Sequence, residues 1–365
     1  MKSISKSGTL LLFYILTLSL TQPSTAQSDS TKSLSLSGYI ETYYSYDFDN
    51  PGTHIRQPFL YSFNRHNETN LNLGLVKLAY QTEQVRGNIA LMAGTYPNDN
   101  LSAEQGVMKN IYEANAGVKI SRNKNLWLDA GIFSSHIGFE SAIGKDCWNL
   151  TRSLLAENSP YYLSGLRIAY TSGDGKWALS GLVVNGWQRI YRVDGNQTPA
   201  FGHQLTFKPS AAITLNSSSF IGSDKPDQVR LMRYFHNFYG IFQVNDKIAI
   251  TTGFDLGAEE SAKGSGEYNT WYAPIILMKL SASPKFNLAA RIEYYSDANG
   301  VIISTGTLHG FKTWGYSVNL DFLLHDQLLW RLEGRGFSSK DPIFNPGGTP
   351  LNSNAFITSS LAIAF

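Results

Sequence analysis

From residue 33 onward the chain alternates apolar and polar positions with a period of two, and almost nowhere with the period of a helix. Sixteen strands are expected, at about 33–46, 69–82, 85–95, 111–121, 125–134, 161–171, 176–186, 201–207, 211–221, 229–243, 247–257, 268–281, 286–296, 310–323, 327–337 and 355–365. Several have a readable phase. In 310–323, Trp314, Tyr316, Val318, Leu320 and Phe322 alternate with Gly315, Ser317, Asn319 and Asp321. In 327–337, Trp330, Leu332, Gly334 and Gly336 alternate with Arg331, Glu333 and Arg335. In 286–296, Leu288, Ala290, Ile292 and Tyr294 oppose Arg291 and Glu293, and in 247–257 Asp255 opposes Phe254 and Leu256. The phase breaks in 69–82, where Leu71, Leu73 and Leu75 share one face and Val76, Leu78 and Tyr80 the other, so that strand has no assigned inside.

The connections alternate as regularly as the side chains. Short ones centre on Glu83-Gln84, Arg122-Asn123-Lys124, Gly173-Asp174-Gly175, Lys208-Pro209-Ser210, Asn245-Asp246, Ser283-Pro284-Lys285 and His325-Asp326. Between them lie long ones, the longest at 135–160. This is the order of an all-β, up-and-down antiparallel transmembrane barrel of about 16 strands, with tight periplasmic turns and long external loops. A soluble sandwich would use Greek-key jumps, and a solenoid would repeat at fixed length.

Composition agrees with a barrel. Charged residues are 16% and aromatics 13% of the chain, against roughly 25% charged in a soluble domain, while mean hydropathy is only −0.18. Residues 1–26 read as a secretory signal: Lys2 and Lys6, an apolar run to about Leu20, then Ser24-Thr25-Ala26. The expected domains are thus a signal at 1–26, a short segment at 27–32 and the barrel at 33–365. Without the signal the formal charge falls from +2 to about 0, and no basic tract suggests nucleic acid. Cys147, the single cysteine, excludes an internal disulfide. None of the seven histidines has a serine two positions later and no His-Glu-x-x-His occurs, so an enzyme is not expected. No cofactor is implied. Only about six residues separate Ala26 from the first strand, too few for a plug domain of an active transporter.

The last strand places Ile357, Ser359, Leu361, Ile363 and Phe365 on one face, with small residues between them. It resembles the C-terminal strand of bacterial outer-membrane barrels, which implies recognition by the barrel assembly machinery and residence in outer-membrane lipid. A second resemblance is more specific. The block Ile137 to Pro160, the run Asn158-Ser159-Pro160-Tyr161 leading to Gly165, Asn185-Gly186-Trp187, and the opening Gly38-Tyr39-Ile40-Glu41-Thr42-Tyr43-Tyr44 are similar to the Bacteroidota outer-membrane barrels grouped as β-barrel porin-2, OmpL-like. The resemblance spans the mature chain and implies a porin for small hydrophilic solutes. By analogy with general porins, loop 136–160 folds into the lumen, with Lys145, Asp146, Arg152 and Glu157 near the constriction. The other reading is an external loop across the mouth. Size likewise suggests a homotrimer.

Within loop 136–160, Asn149 could cap a short helix from Leu150 to Ala156. A Lys or Arg facing lipid at mid-depth costs about 2–4 kcal/mol, so strand charges should face the lumen. The lining candidates are Glu41, Glu113, Lys119, Asp129, Arg167, Asp255, Arg291, Glu293, Asp321, Arg331, Glu333 and Arg335. Five are positive and seven negative, too balanced to set an ion preference. They either orient solutes or form cross-strand structural pairs. The alternative function is a non-conducting barrel acting in adhesion or assembly through its external loops, among them 338–354.

Overall fold

In the computed structural model, each strand pairs antiparallel with its sequence neighbours and the last pairs with the first, closing a 16-stranded barrel. The structure describes residues 33–344 and 348–365. The signal reading of 1–26, the segment 27–32 and part of the 338–354 loop lie outside the described residues. The strands are β1 (Ser33–Asp47), β2 (Thr69–Gln81), β3 (Val85–Ala93), β4 (Ile111–Lys119), β5 (Asn125–Ser134), β6 (Tyr162–Thr171), β7 (Trp177–Val184), β8 (Ala200–Ser210), β9 (Ile213–Gly222), β10 (Arg233–Gln243), β11 (Ile248–Glu260), β12 (Tyr268–Ser283), β13 (Phe286–Asp297), β14 (Phe311–His325), β15 (Leu328–Ser339) and β16 (Ser353–Ala364). Short helices α1 (Thr95–Asn100) and α2 (Leu154–Glu157) lie in long loops. Closure leaves no open strand edge, the condition for a sheet in a bilayer.

The outer face is exposed and apolar, with Leu256, Ile276, Ile292, Val318, Ile357 and Leu361 among its side chains. Tyr234, Tyr268, Tyr272, Trp314 and Tyr316 stand toward the long-loop end, and Trp177, Trp330 and Phe365 toward the short-turn end. These are the two interfacial girdles of a membrane barrel. Phe365 is bonded through its backbone to Gly38 of β1.

The structure resolves one open phase and corrects two local readings. The phase of β2 is unreadable from sequence for two reasons: a register shift in which Glu41 pairs Leu73 while Thr42 pairs Leu71, so that the extra residue Asn72 sets Leu71 on the other face from Leu73 and Leu75, and the apolar character of the inward Leu73 and Leu75 themselves. Beyond this bulge Leu73 and Leu75 are buried inside, and Val76, Leu78 and Tyr80 are exposed outside. The turn expected at Lys208-Pro209-Ser210 lies instead at residues 211–212, because β8 continues to Ser210. Pro209, which cannot donate to the ladder, sits where the register shifts between Phe207 and Ser210. The strand expected from 229 begins at Arg233, after a 3-10 turn at Asp227–Val229.

The interior is not uniformly polar. External loops bring Phe59, Leu60, Ile303 and Phe344 against Phe311 and Phe337 of the wall, with Phe59 4.8 Å from Phe311. A second apolar group joins Leu73, Leu75, Ala90 and Met92 to Tyr96, Leu101 and Tyr161. Both groups bury apolar side chains of loop and wall against each other inside the barrel.

Candidate functional site

The chain leaving β5 turns into the barrel. His136 places its ring Nε2 2.8 Å from the Ser219 carbonyl, and its own carbonyl accepts bonds from Gln204 and Ser218. The Gly138 N–H then donates to Asn237 of β10. From there the loop crosses to the far wall.

An irregular segment inside a barrel carries backbone groups that water cannot fully serve, so the wall must supply partners. Arg331 does this with one guanidinium. It holds Asp321 through Nε at 2.7 Å and Nη2 at 3.1 Å, and donates to the carbonyls of Gly144 (2.7 Å), Cys147 (2.9 Å) and Trp148 (3.0 Å). Arg291 donates to the Thr151 carbonyl and Arg335 to that of Arg152. Glu333 accepts the Thr151 N–H and Glu293 that of Leu154. The wall groups also pair with one another, Arg291 with Glu333 at 3.0 Å and Arg335 with Glu293 at 2.6 Å. Asn319 accepts the Leu150 N–H. Gly144 lies against the Glu41 carboxylate, where any added Cβ would collide.

Arg291, Glu293, Asp321, Arg331, Glu333, Arg335 and Glu41 are therefore buried beneath the loop. Asp255 is buried too, bonded by Asn237 at 2.6 Å. The remaining lining candidates stand on the opposite wall. Glu113 pairs with Lys77 at 2.5 Å; Asp129 pairs with Arg86 at 2.7 Å and Arg167 at 3.2 Å; Lys119 is half-buried. Lys77 and Arg86 were not singled out in the sequence; each reaches its carboxylate across an intervening strand, a contact that pairing of adjacent strands does not reveal.

The four loop candidates divide in the same way. Lys145 and Asp146 form a 3.3 Å pair at the tip with side chains 44% and 49% exposed. Arg152 is buried and binds carbonyls of its own loop, those of Ser141, Leu150 and Ala142. Glu157 is buried and accepts the N–H groups of Tyr61 and Ser62, joining this loop to the one after β1. Burial pushes its carboxyl up to about 7. Both hold backbone and do not stand in open water. The helix expected from Asn149 is shorter, Leu154–Glu157, and is capped by Ser153, which accepts the Ala156 N–H. Asn149 is occupied elsewhere, donating to Ser317.

Space remains on the β2–β10 side. A cavity of about 500 Å³ is bordered by Lys77, Glu113, Lys145 and Asp146. One of about 450 Å³ is bordered by Lys176, Lys208 and Tyr239. One of about 230 Å³ lies against the loop. Tyr112 borders the first and third, Tyr239 the second and third. Cross-strand pairing also brings His203 and His236 to Ser217 on the outer face, a contact that linear spacing does not reveal.

The fold is similar to an anion-selective porin from Comamonas acidovorans (TM-score 0.61, 7% identity, covering 92% of this chain and 100% of that one). It is also similar to the outer membrane channel DcaP of Acinetobacter baumannii (0.60, 11%, 93% and 99%). The trimer form of OmpT, an outer membrane protein of Vibrio cholerae, matches to the same degree (0.60, 7%, 92% and 100%). At such identities the likeness establishes the fold. No curated protein matches the sequence. The family model described as "Putative beta-barrel porin-2, OmpL-like" matches residues 33–365. With a closed 16-stranded wall and two aromatic girdles, the chain belongs to that porin family, a family of outer-membrane channel proteins and not of enzymes.

Proposed function

We propose that this protein is a passive porin for small hydrophilic solutes, its lumen narrowed by loop 136–160. The observation that carries this reading is the division of the interior. One half is filled by a loop held on a wall of paired charges; the other keeps solvent space beside partly exposed charges. Transport is diffusion, and the exposed charges bias entry.

Removing the buried groups changes the charge balance. Among the groups bordering the open side, Lys77, Arg86, Lys119, Lys145, Arg167, Lys176 and Lys208 stand against Glu113 and Asp146, seven positive to two negative, with the buried Asp129 held between Arg86 and Arg167. Among ions, anions are therefore favoured. No cofactor takes part. The exposed row ending in Phe365 is the surface offered to the barrel assembly machinery, and a homotrimer, a form in which the fold neighbour OmpT of Vibrio cholerae occurs, is the proposed assembly.

Swelling of protein-loaded liposomes in neutral solutes of graded size tests the reading. Rates should fall steadily from glycerol to trisaccharides. Absence of swelling with a folded, heat-modifiable barrel would remove the porin reading and assign the external loops an adhesion or assembly role.

A further inference from the structure

The cavity of about 450 Å³ at the short-turn end of the lumen has no carboxylate on its border, whereas those of about 500 and 230 Å³ each include at least one. Lys176 and Lys208 both border it. They stand directly opposite each other: Trp177 pairs with Phe207 in the β7–β8 ladder, and the Lys208 N–H donates to the Lys176 carbonyl one step beyond, at 2.8 Å. Residues so placed have Cβ atoms about 4.5–5.5 Å apart, and like charges there repel.

Elsewhere the barrel pairs its wall cations. Every arginine on the strands lies within 4.0 Å of a carboxylate, and so does Lys77. Among the described residues neither Lys176 nor Lys208 has an ion pair. Asp174, two positions from Lys176, uses its carboxylate in the hairpin, accepting the Ser172 hydroxyl and the Lys176 N–H. Both lysines are exposed, so both ammonium groups reach the lumen's water.

Hydroxyl groups complete the border. Thr171, Thr214 and Tyr239 are half-buried, and their oxygens are neither hydrogen-bonded nor sealed from solvent among the described residues. Thr206 is taken, donating to Asn216. The cavity thus gathers two positive charges and several donors with no competing carboxylate. Flexible four-carbon stems let both ammonium groups close on one ligand. A compact group with two negative charges and several oxygens answers charge and donors together, as a phosphate does. Chloride offers one charge and no set of oxygens.

We propose that the Lys176–Lys208 pair forms a phosphate-binding site at the short-turn mouth of the lumen, for the free ion or for a phosphate carried on a small organic solute. The inference rests on the porin reading, since the ligand is a solute passing through the lumen.

Calorimetric titration of the detergent-solubilised full chain with inorganic phosphate, at pH 8 and low salt, tests the site without requiring conduction. A single saturable site is expected. Lys176→Gln and Lys208→Gln should each weaken it at least about tenfold, the worth of one charged hydrogen bond, with heat-modifiable mobility confirming a folded barrel. Lys124→Gln, at a different short turn, should leave it unchanged. Glycerol 3-phosphate separates the two sources: tighter binding than phosphate assigns the site to phosphorylated solutes, weaker binding to the free ion. Absence of phosphate binding, or binding unchanged in both pair variants, would overturn the proposal. Equal weakening by Lys124→Gln would reduce it to diffuse attraction, and succinate binding more tightly than phosphate would replace the ligand class; either result overturns it. Liposome swelling on the same samples separates this failure from failure of the porin reading.

Discussion

Arg331→Met should release the tip of loop 136–160. The guanidinium is fully buried and is bonded to three loop carbonyls, those of Gly144, Cys147 and Trp148, and to Asp321. Methionine keeps the volume and removes the donors. Each hydrogen bond from a charged group contributes about 1.5–3 kcal/mol, and breaking a buried pair costs about 3–5 kcal/mol. Part of this falls on Asp321 and part on the three carbonyls. A loss of about 3 kcal/mol in tip docking is a roughly hundredfold rise in the undocked population. The chain carries its own reporter. Cys147 is a free, buried thiol at the tip, bonded to the Ser141 backbone, and burial pushes its pKa up. In the wild type it should react slowly with maleimide; in Arg331→Met the rate should rise about two orders of magnitude. Arg331→Met with Asp321→Asn restores charge balance but not the carbonyl donors, so labelling should stay fast. An unchanged rate in the single variant, in a folded barrel, would refute the anchoring argument. Reversion to the wild-type rate in the double variant would trace the effect to the stranded Asp321 alone.

Three further outcomes follow. Because the Glu157 carboxyl is raised by burial from 4.5 to about 7, its contribution to loop docking is complete below about pH 4.5 and lost as pH rises through 7; the thermal midpoint should fall across that window, and Glu157→Gln should flatten the fall, an unaltered profile counting against the assignment. Arg167→Gln leaves Asp129 paired with Arg86 and removes one positive charge from the open wall, so the reversal potential in a salt gradient should shift toward cations; no shift would place that wall off the solute path. Val318, 52% exposed on the outer face, should tolerate arginine poorly, Val318→Arg losing about 2–4 kcal/mol in urea titrations of folding into vesicles; a neutral result would contradict its placement against lipid.

The strand order was legible because lipid on one side and a polar interior on the other impose alternation, clear in β13, β14 and β15. It was illegible where that premise fails. In β2 the bulge at Asn72 moves the phase, and the inward residues Leu73 and Leu75 are apolar because inward loops cover them. Pro209 looked like a turn residue yet sits at a register shift within β8. The wall charges could be placed on their strands, but not sorted between a loop-holding half and an open half, since that division depends on the path of residues 136–160. The same dependence hid the roles of Arg152 and Glu157: a charge in a long loop suggests contact with solute, whereas here buried carbonyls and N–H groups claim it. Ser153 took the helix cap once Asn149 was bound to Ser317.

The central claim is that one loop, fixed on a charged wall, sets the width of a conducting lumen. Single-channel conductance in a planar bilayer tests it most directly, comparing the wild type with a variant lacking residues 140–157. Small, stable steps in the wild type and distinctly larger ones in the variant are the predicted result. Equal conductance from both proteins would contradict the loop's role, and silence from both folded proteins would contradict the channel itself.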